Sequence, residues 1–441
     1  MDATMLARIQ FGLTAGFHFL FPPLTIGVAW VLVLMMTRYK NSDEKVYEQM
    51  AKFWLKLFAI TFAIGVATGI TLEFEFGMNW SEYSRFVGDI FGAPLAAEGI
   101  FAFFLESTFM GVLLFGWNRL SKKTLWFSSL MVAVGSTLSA FWIIVANSWQ
   151  QTPAGYKIVN GRAELTSFLQ AVFNPSTLPR YFHTVDAALV TGSFFVLGVS
   201  AWYILKKRHE EFARRSYEIA LIVALIGSLL QLPLGHWHAV QVARTQPAKL
   251  AAIEGLFKTQ THAPALVFGI PDAKARKVRA AVEIPGALSL LAYNSLSAEV
   301  KGLNAFPEED WPPLLPTFFS FHLMVMLGSL FIVFTLLAWA LQRKGKLFES
   351  GWTRPVMWLS IILAPLPLLC NELGWMTAEL GRQPWIVQDL LRTADAVSVS
   401  VPAWQVAVTL VIFVAVYAVL GALWIYLLAR TIRRGPSEQT A

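Results

Sequence analysis

Charge is scarce in this chain. Asp, Glu, Lys and Arg make up only 14% of its 441 residues, and 56% are hydrophobic. Soluble domains carry about a quarter of charged residues. The shortage excludes an ordinary water-soluble globule and points to lipid as the solvent. Cysteine is scarcer still. Cys370 stands alone, so an internal disulfide and a cysteine-held cluster are both excluded. No internal repeat or low-complexity tract is visible. The net charge of +7 sits in short segments between apolar runs, so it is no nucleic-acid footprint.

What is abundant is the long apolar run. A hydrocarbon core needs about 20 apolar residues per helix. Nine runs qualify: Phe11–Met36, Leu57–Phe76, Pro94–Trp117, Leu125–Asn147, Thr184–Leu205, Tyr217–Leu234, Leu314–Leu341, Val356–Leu380 and Pro402–Ala429. The first is too long for a signal-peptide core and no cleavage site follows it, so it reads as a retained helix. The expected fold is an all-α, polytopic bundle of nine transmembrane helices forming one domain over residues 1–441. The short connections at one end carry 20 Lys and Arg residues, against 7 at the other. By the positive-inside rule the basic end is cytoplasmic, which puts the N-terminus outside and the C-terminus inside. Residues 235–313 form a long outward excursion, with short helices expected around Pro247–Leu256 and Ala273–Val282.

An ionisable group inside such a span costs about 2.5–3.5 kcal/mol on insertion scales, so each needs a partner or a cofactor. The set is short: His18, Glu73, Glu75, Glu98, Glu106, His183, Asp186, His322, Glu372 and Glu379. Most fall in the outer half of the membrane. Glu106 follows Glu98 by two turns and, on an ideal helix, lies about 80° around from it. That spacing suits proton passage from one carboxylate to the next. His and Met are common axial ligands of haem. His183 and Met324 could close a six-coordinate haem, though Met324 taken singly also suits plain packing, and His18 taken singly also suits a hydrogen-bonded core histidine. A carboxylate ligand or a vacant position on another haem would leave iron open to oxygen.

Longer motifs go further. WMTAELGRQPW (Trp375–Trp385), AFFLESTFMG (Ala102–Gly111), GDIFGAPLA (Gly88–Ala96) and LSAFWIIVANSWQ (Leu138–Gln150) resemble blocks of subunit I of cytochrome bd-type quinol oxidases. The resemblance runs over nearly the whole chain. It implies two haem b groups, one low-spin and one high-spin, and one haem d, or haem b in its place. It implies His183 and Met324 as ligands of the low-spin haem. His18 and Glu379 match axial ligands of the high-spin pair, without an assignment of which haem each holds. Glu98 and Glu106 match carboxylates beside that pair, Glu98 also as an iron ligand. Arg8 and Arg382 match propionate partners, and Trp375 sits among the cofactor-binding residues. KLAAIEG (Lys249–Gly255) resembles the quinol-binding loop, with Lys249 and Glu254 implicated. The shortness of that loop, after GHWHAVQVARTQP (Gly235–Pro247), is similar to the cyanide-insensitive branch. His322 stands where relatives often have Arg, a departure that replaces a permanent cation.

The implied activity is oxidation of membrane quinol on the outer side and reduction of O2 to water, with protons drawn from the cytoplasm. The implied partners are subunit II of a heterodimer, a small single-helix accessory subunit, and lipid. The implied location is a bacterial or archaeal cytoplasmic membrane. A secondary transporter would show broken helices and internal repeats. A haem-bearing quinol sensor or non-oxidase electron carrier would share the haems without oxygen turnover.

Overall fold

The computed structural model describes residues 2–436. Among the described residues, nine helical spans are long and apolar enough to cross a membrane: Ala3–Asn41, Lys45–Asn79, Ser81–Phe115, Lys122–Gln151, Thr177–Leu205, Glu210–Thr245, Leu314–Arg343, Thr353–Leu380 and Ala403–Arg434. They are called spans 1 to 9 below. Each overlaps one run expected from the sequence and extends past it at one or both ends. A helix satisfies its own backbone, so it has no reason to stop where the apolar run stops. Span 6 is the clearest case. It continues through Gly235 to Thr245, so the irregular excursion begins at Gln246 instead of Gly235.

Three spans are interrupted. Span 1 is two helices, Ala3–Phe19 and Phe21–Asn41, with Pro22 and Pro23 opening the second. Proline has no N–H to continue the ladder, and the break falls directly after His18. Span 8 divides into Thr353–Leu363 and Leu366–Leu380 at Pro365. Span 3 contains a π-helical segment, Glu98–Phe103, four residues after Pro94.

The second half of span 1 and all of span 5 form the centre of the bundle. Span 1 packs there against spans 2, 4 and 5, while span 9 lies on the rim against spans 1 and 2. Glycine sets the central contact. A Cβ on Gly27 would stand 2.0 Å from the Ala188 carbonyl oxygen, and one on Gly192 would stand 2.2 Å from the Gly27 carbonyl carbon. Backbone meets backbone there, and only hydrogen fits.

Between spans 6 and 7 the chain makes the helix Pro247–Ile253, a hairpin of Ala265–Asp272 with Lys277–Ile284, and the helix Ala287–Tyr293. The expected helix near Pro247 is present. The one expected over Ala273–Val282 is not: that stretch is the turn and second strand of the hairpin. Asp272 Oδ1 accepts from the Ala275 N–H at 3.0 Å and closes the turn. Cross-strand pairing then overrides the helix-forming Ala, Lys and Arg residues. His322 in span 7 bonds the Leu266 carbonyl through Nε2 at 3.0 Å, fastening the hairpin to the bundle. The end of the bundle carrying this segment is called the loop end.

Gly192→Ala should destabilise the detergent-purified protein by about 1–3 kcal/mol, the range for overpacking. Gly351→Ala, where a Cβ meets nothing within 4 Å, should leave the thermal midpoint unchanged. Thermal unfolding of both variants checks the contrast.

Candidate functional site at the loop end of the bundle

His18 is held by span 2. Its Nδ1 lies 2.9 Å from Thr68 Oγ1. The Thr68 hydroxyl also lies 2.9 Å from the Gly65 carbonyl and 3.1 Å from that of Ile64. A hydroxyl has one proton. Given to the helix carbonyls, it leaves Thr68 as acceptor and His18 Nδ1–H as donor. The proton is then on Nδ1, and Nε2 carries a free lone pair. Gly69 makes room for the ring, since a Cβ there would stand 3.1 Å from His18 Cε1.

His183, in span 5, has a buried Nδ1 with no hydrogen-bond partner. Its ring faces Gly235 of span 6, and the His238 ring lies 5.7 Å away between centroids. Met324, in span 7, brings its sulfur to 3.1 Å from where a Cβ would sit on Gly374 of span 8. Spans 5 and 7 both pack against spans 6 and 8.

Glu98 and Glu106 face the same neighbour. Ser139 donates to Glu98 Oε1 at 2.7 Å, and Ser136, one turn away on span 4, donates to Glu106 Oε1. The expected 80° offset between the carboxylates assumes an ideal helix. The π-helical turn takes more residues per turn, so each residue rotates less and the offset closes. Gly135 lets span 4 approach, since a Cβ there would stand 3.1 Å from Glu106 Cβ.

Glu379 is the most heavily bonded carboxylate at the loop end. Oε2 receives Arg382 Nη2, and Oε1 receives Asn147 Nδ2 at 3.1 Å and Gln151 Nε2 at 3.4 Å. Arg180 in turn bonds Asn147 Oδ1. Arg382 is 4% exposed and also donates to Gln150 Oε1 at 2.8 Å. A carboxylate offers about four lone pairs, so one remains for a metal. Gln151 extends the network to the loop: Lys249 Nζ donates to its Oε1 at 2.5 Å and to Gln246 Oε1 at 2.9 Å. Lys249 packs over Gly381, where a Cβ would stand 2.8 Å from its Cγ.

Lys249 therefore belongs with Glu379 and Arg382. No hydrogen bond or ion pair joins it to Glu254 among the described residues. Burial, and then Arg180 and Arg382, hold the lysine well below its ordinary value, with Glu379 pulling the other way. Burial pushes the Glu254 carboxyl up to about 7, against the Leu266 N–H, which favours its charged form. Arg8 and Trp375 are half-buried. His322 has Nδ1 3.0 Å from the Phe318 carbonyl and stacks on the Phe318 ring.

The family model for cytochrome bd terminal oxidase subunit I matches residues 6–436. The chain belongs to that family. It is 43% identical to cytochrome bd ubiquinol oxidase subunit 1 of Bacillus subtilis, covering 99% of this chain and 94% of the relative. It is 38% identical to the cytochrome bd-II ubiquinol oxidase subunit 1 of Escherichia coli, over 99% and 97%. The solved bd oxidase from Geobacillus thermodenitrificans superposes with a TM-score of 0.92 at 32% identity, covering 99% of both chains. All three are bacterial, and the archaeal alternative gains no support from them.

A cytochrome bd subunit implies haem, and the donor set fits it. His18 Nε2 carries the free lone pair, and His183 is a buried imidazole whose Nδ1 is unpartnered. Glycines clear space beside His18 and Met324. Sequence reasoning missed Asn147, Gln151, Arg180 and His238. The first two lie in or beside a quoted motif, and His238 is in another, yet their partners are up to 232 positions away.

Removing one partner of a buried ion pair costs about 3–5 kcal/mol, because the other charge stays behind. Arg382→Met should therefore lower the thermal stability of the purified protein sharply, and Arg382→Lys should restore part of it. Thermal unfolding of the two variants measures the difference.

Proposed function

We propose that the chain oxidises membrane quinol at its loop end and reduces O2 to water, as a subunit of a respiratory quinol oxidase in a bacterial cytoplasmic membrane. The observation that carries this reading is the unbroken network from Lys249 through Gln151 to Glu379 and Arg382. It links the quinol-loop candidate to a haem-ligand candidate in a chain matched end to end by quinol oxidase subunits. Subunit II is the expected partner, with a small accessory subunit beside it.

In this reading the loop end faces outward and the basic end faces the cytoplasm. His183 and Met324 hold a low-spin haem b. His18 and Glu379 would hold a high-spin pair, haem b with haem d or a second haem b, and Glu98 would be a further ligand. Bound haem supplies one-electron transfer and the reduction of oxygen. Arg382 and Arg8 neutralise propionates, for which a guanidinium offers paired donors, and Trp375 packs beside them. Lys249 and Glu254 bind the quinol head, and Glu254 accepts a proton from it. Glu106 and Glu98, aligned along Ser136 and Ser139, pass protons inward from the cytoplasm. Proton release at one face and uptake from the other separates charge without a pump. The shortness of the segment between spans 6 and 7, with Gly235–Pro247 ahead of it, is read as the short, cyanide-insensitive form.

A reduced-minus-oxidised absorption spectrum of the purified complex tests the proposal directly. Haem bands are expected, and His183→Ala should remove the low-spin component. A spectrum without haem bands would sink the reading.

The Glu254 carboxyl gives a pH signature. Its value is raised from the usual carboxylate range to about 7, so the ionised, proton-accepting form is present above pH 7 and lost below it. Quinol oxidation should rise as pH increases through about 7. Glu254→Gln should be slow and lack that rise, with the haem spectrum intact. Steady-state quinol turnover against pH checks both.

A further inference from the structure

Glu75 takes no part in the site described above, yet it is the most deeply buried acidic side chain among the described residues, at 0% exposure. Neither of its carboxylate oxygens has a hydrogen-bond partner. Two other orphans lie on the helices packed against its own, the Nε2 of Gln10 and the hydroxyl of Tyr417. The three come from spans 2, 1 and 9, which pack on one another.

Several contacts tie them together. Thr14 of span 1 lies beside both Glu75 and Tyr417, and Tyr417 is within electrostatic range of the carboxyl. The Thr14 hydroxyl donates to the Gln10 carbonyl at 2.8 Å, which leaves its oxygen free to accept. Gln10 Oε1 is taken by Thr409 of span 9 at 3.0 Å, which turns its NH2 group toward other partners. The Tyr417 ring stacks on Phe17 at 4.7 Å between centroids, next to His18 in sequence.

Buried polar groups are nearly always bonded, and one orphan is unusual. Polar groups that three helices leave unbonded to the protein suit a hydrated chamber. A buried water needs two to four polar partners, and Glu75, Gln10, Thr14 and Tyr417 supply four. The chamber lies along the helix pair that holds His18. Thr14 precedes His18 by four residues on span 1, and Glu75 follows Thr68 by seven on span 2. At 1.5 Å per residue it stands about 6–10 Å from the His18–Thr68 hydrogen bond, on the loop-end side.

We propose that Glu75, Gln10, Thr14 and Tyr417 enclose water and one exchangeable proton, forming a proton-storage site that responds to the charge at His18. This rests on the reading that His18 holds haem. An electron added beside His18 makes the surroundings more negative. One proton taken onto the Glu75 carboxyl from the enclosed water, and replaced from the loop end, balances it. The proton returns when the electron leaves. No bond other than O–H forms or breaks.

Redox-difference infrared spectroscopy of the purified oxidase complex tests this. A carbonyl-stretch band of a protonated carboxyl should appear, shift in D2O and disappear in Glu75→Gln. In Tyr417→Phe it should persist at a shifted frequency, because the carboxyl loses a neighbour. A full set of carboxyl bands in Glu75→Gln overturns the proposal. So does an unshifted band in Tyr417→Phe, which keeps the test open where the first variant fails to fold. The underlying reading fails differently: His18→Ala would then leave the visible haem spectrum unchanged.

Discussion

The Glu379 carboxylate joins the parts of this protein that lie far apart in sequence. An anion largely removed from water at the end of an apolar bundle needs donors around it. Arg382 comes from its own span, Asn147 and Gln151 from span 4, and Arg180 reaches Asn147 from span 5. Satisfying one charge therefore fixes spans 4, 5 and 8 against each other. Gln151 then carries the constraint to Lys249. Lys249 adds a third cation but no further hydrogen bond to the carboxylate, so its amine is held by neutral amides. That arrangement leaves the lysine free to exchange an amide for a ligand hydroxyl without breaking an ion pair.

Much of this was legible in the sequence because the bilayer simplifies the code. Long apolar runs become helices, and polar residues inside them become candidates for function. The nine spans follow from that rule. So do His18, His183, Glu98, Glu106 and Glu379, each of which proves to be packed against a neighbouring span. The misreadings share a different cause. Ala273–Val282 has helix-forming residues, but its state is decided by pairing with Ala265–Asp272. The offset between Glu98 and Glu106 depends on a π-helical turn, which follows from packing against Ser139, Ser136 and Gly135. Lys249 and Glu254, implicated together by the resemblance of KLAAIEG to a quinol-binding loop, do not bond to one another. Their side chains go to different neighbours, one to Gln151 and the other toward Leu266.

Glycine and proline do what the apolar residues cannot. Gly27 and Gly192 bring spans 1 and 5 into backbone contact, and Gly69 and Gly374 clear space at His18 and Met324. Pro22 and Pro23 break span 1 just past His18, and Pro365 breaks span 8 fourteen residues before Glu379. A straight apolar helix would close on its neighbours along its whole length. The interruptions keep the loop-end halves from following the tight packing of the centre. The dense core fixes where the helices stand, and the loosened ends provide room beside the candidate ligands.

This division also explains why unsatisfied polar groups gather at the loop end. In the centre, hydroxyls such as Thr61 and Ser360 return their protons to their own helix. Toward the loop end, His183 Nδ1, Glu372 Oε1, Gln10 Nε2 and both Glu75 oxygens have no such partner. A fold that met the cost of every polar group internally would have no chemistry left to offer. Here most of the deficit lies in the loop-end half of the bundle, where water, haem or quinol can make it good, and only isolated hydroxyls such as Ser107, Ser193 and Ser200 are unpartnered nearer the centre and the basic end.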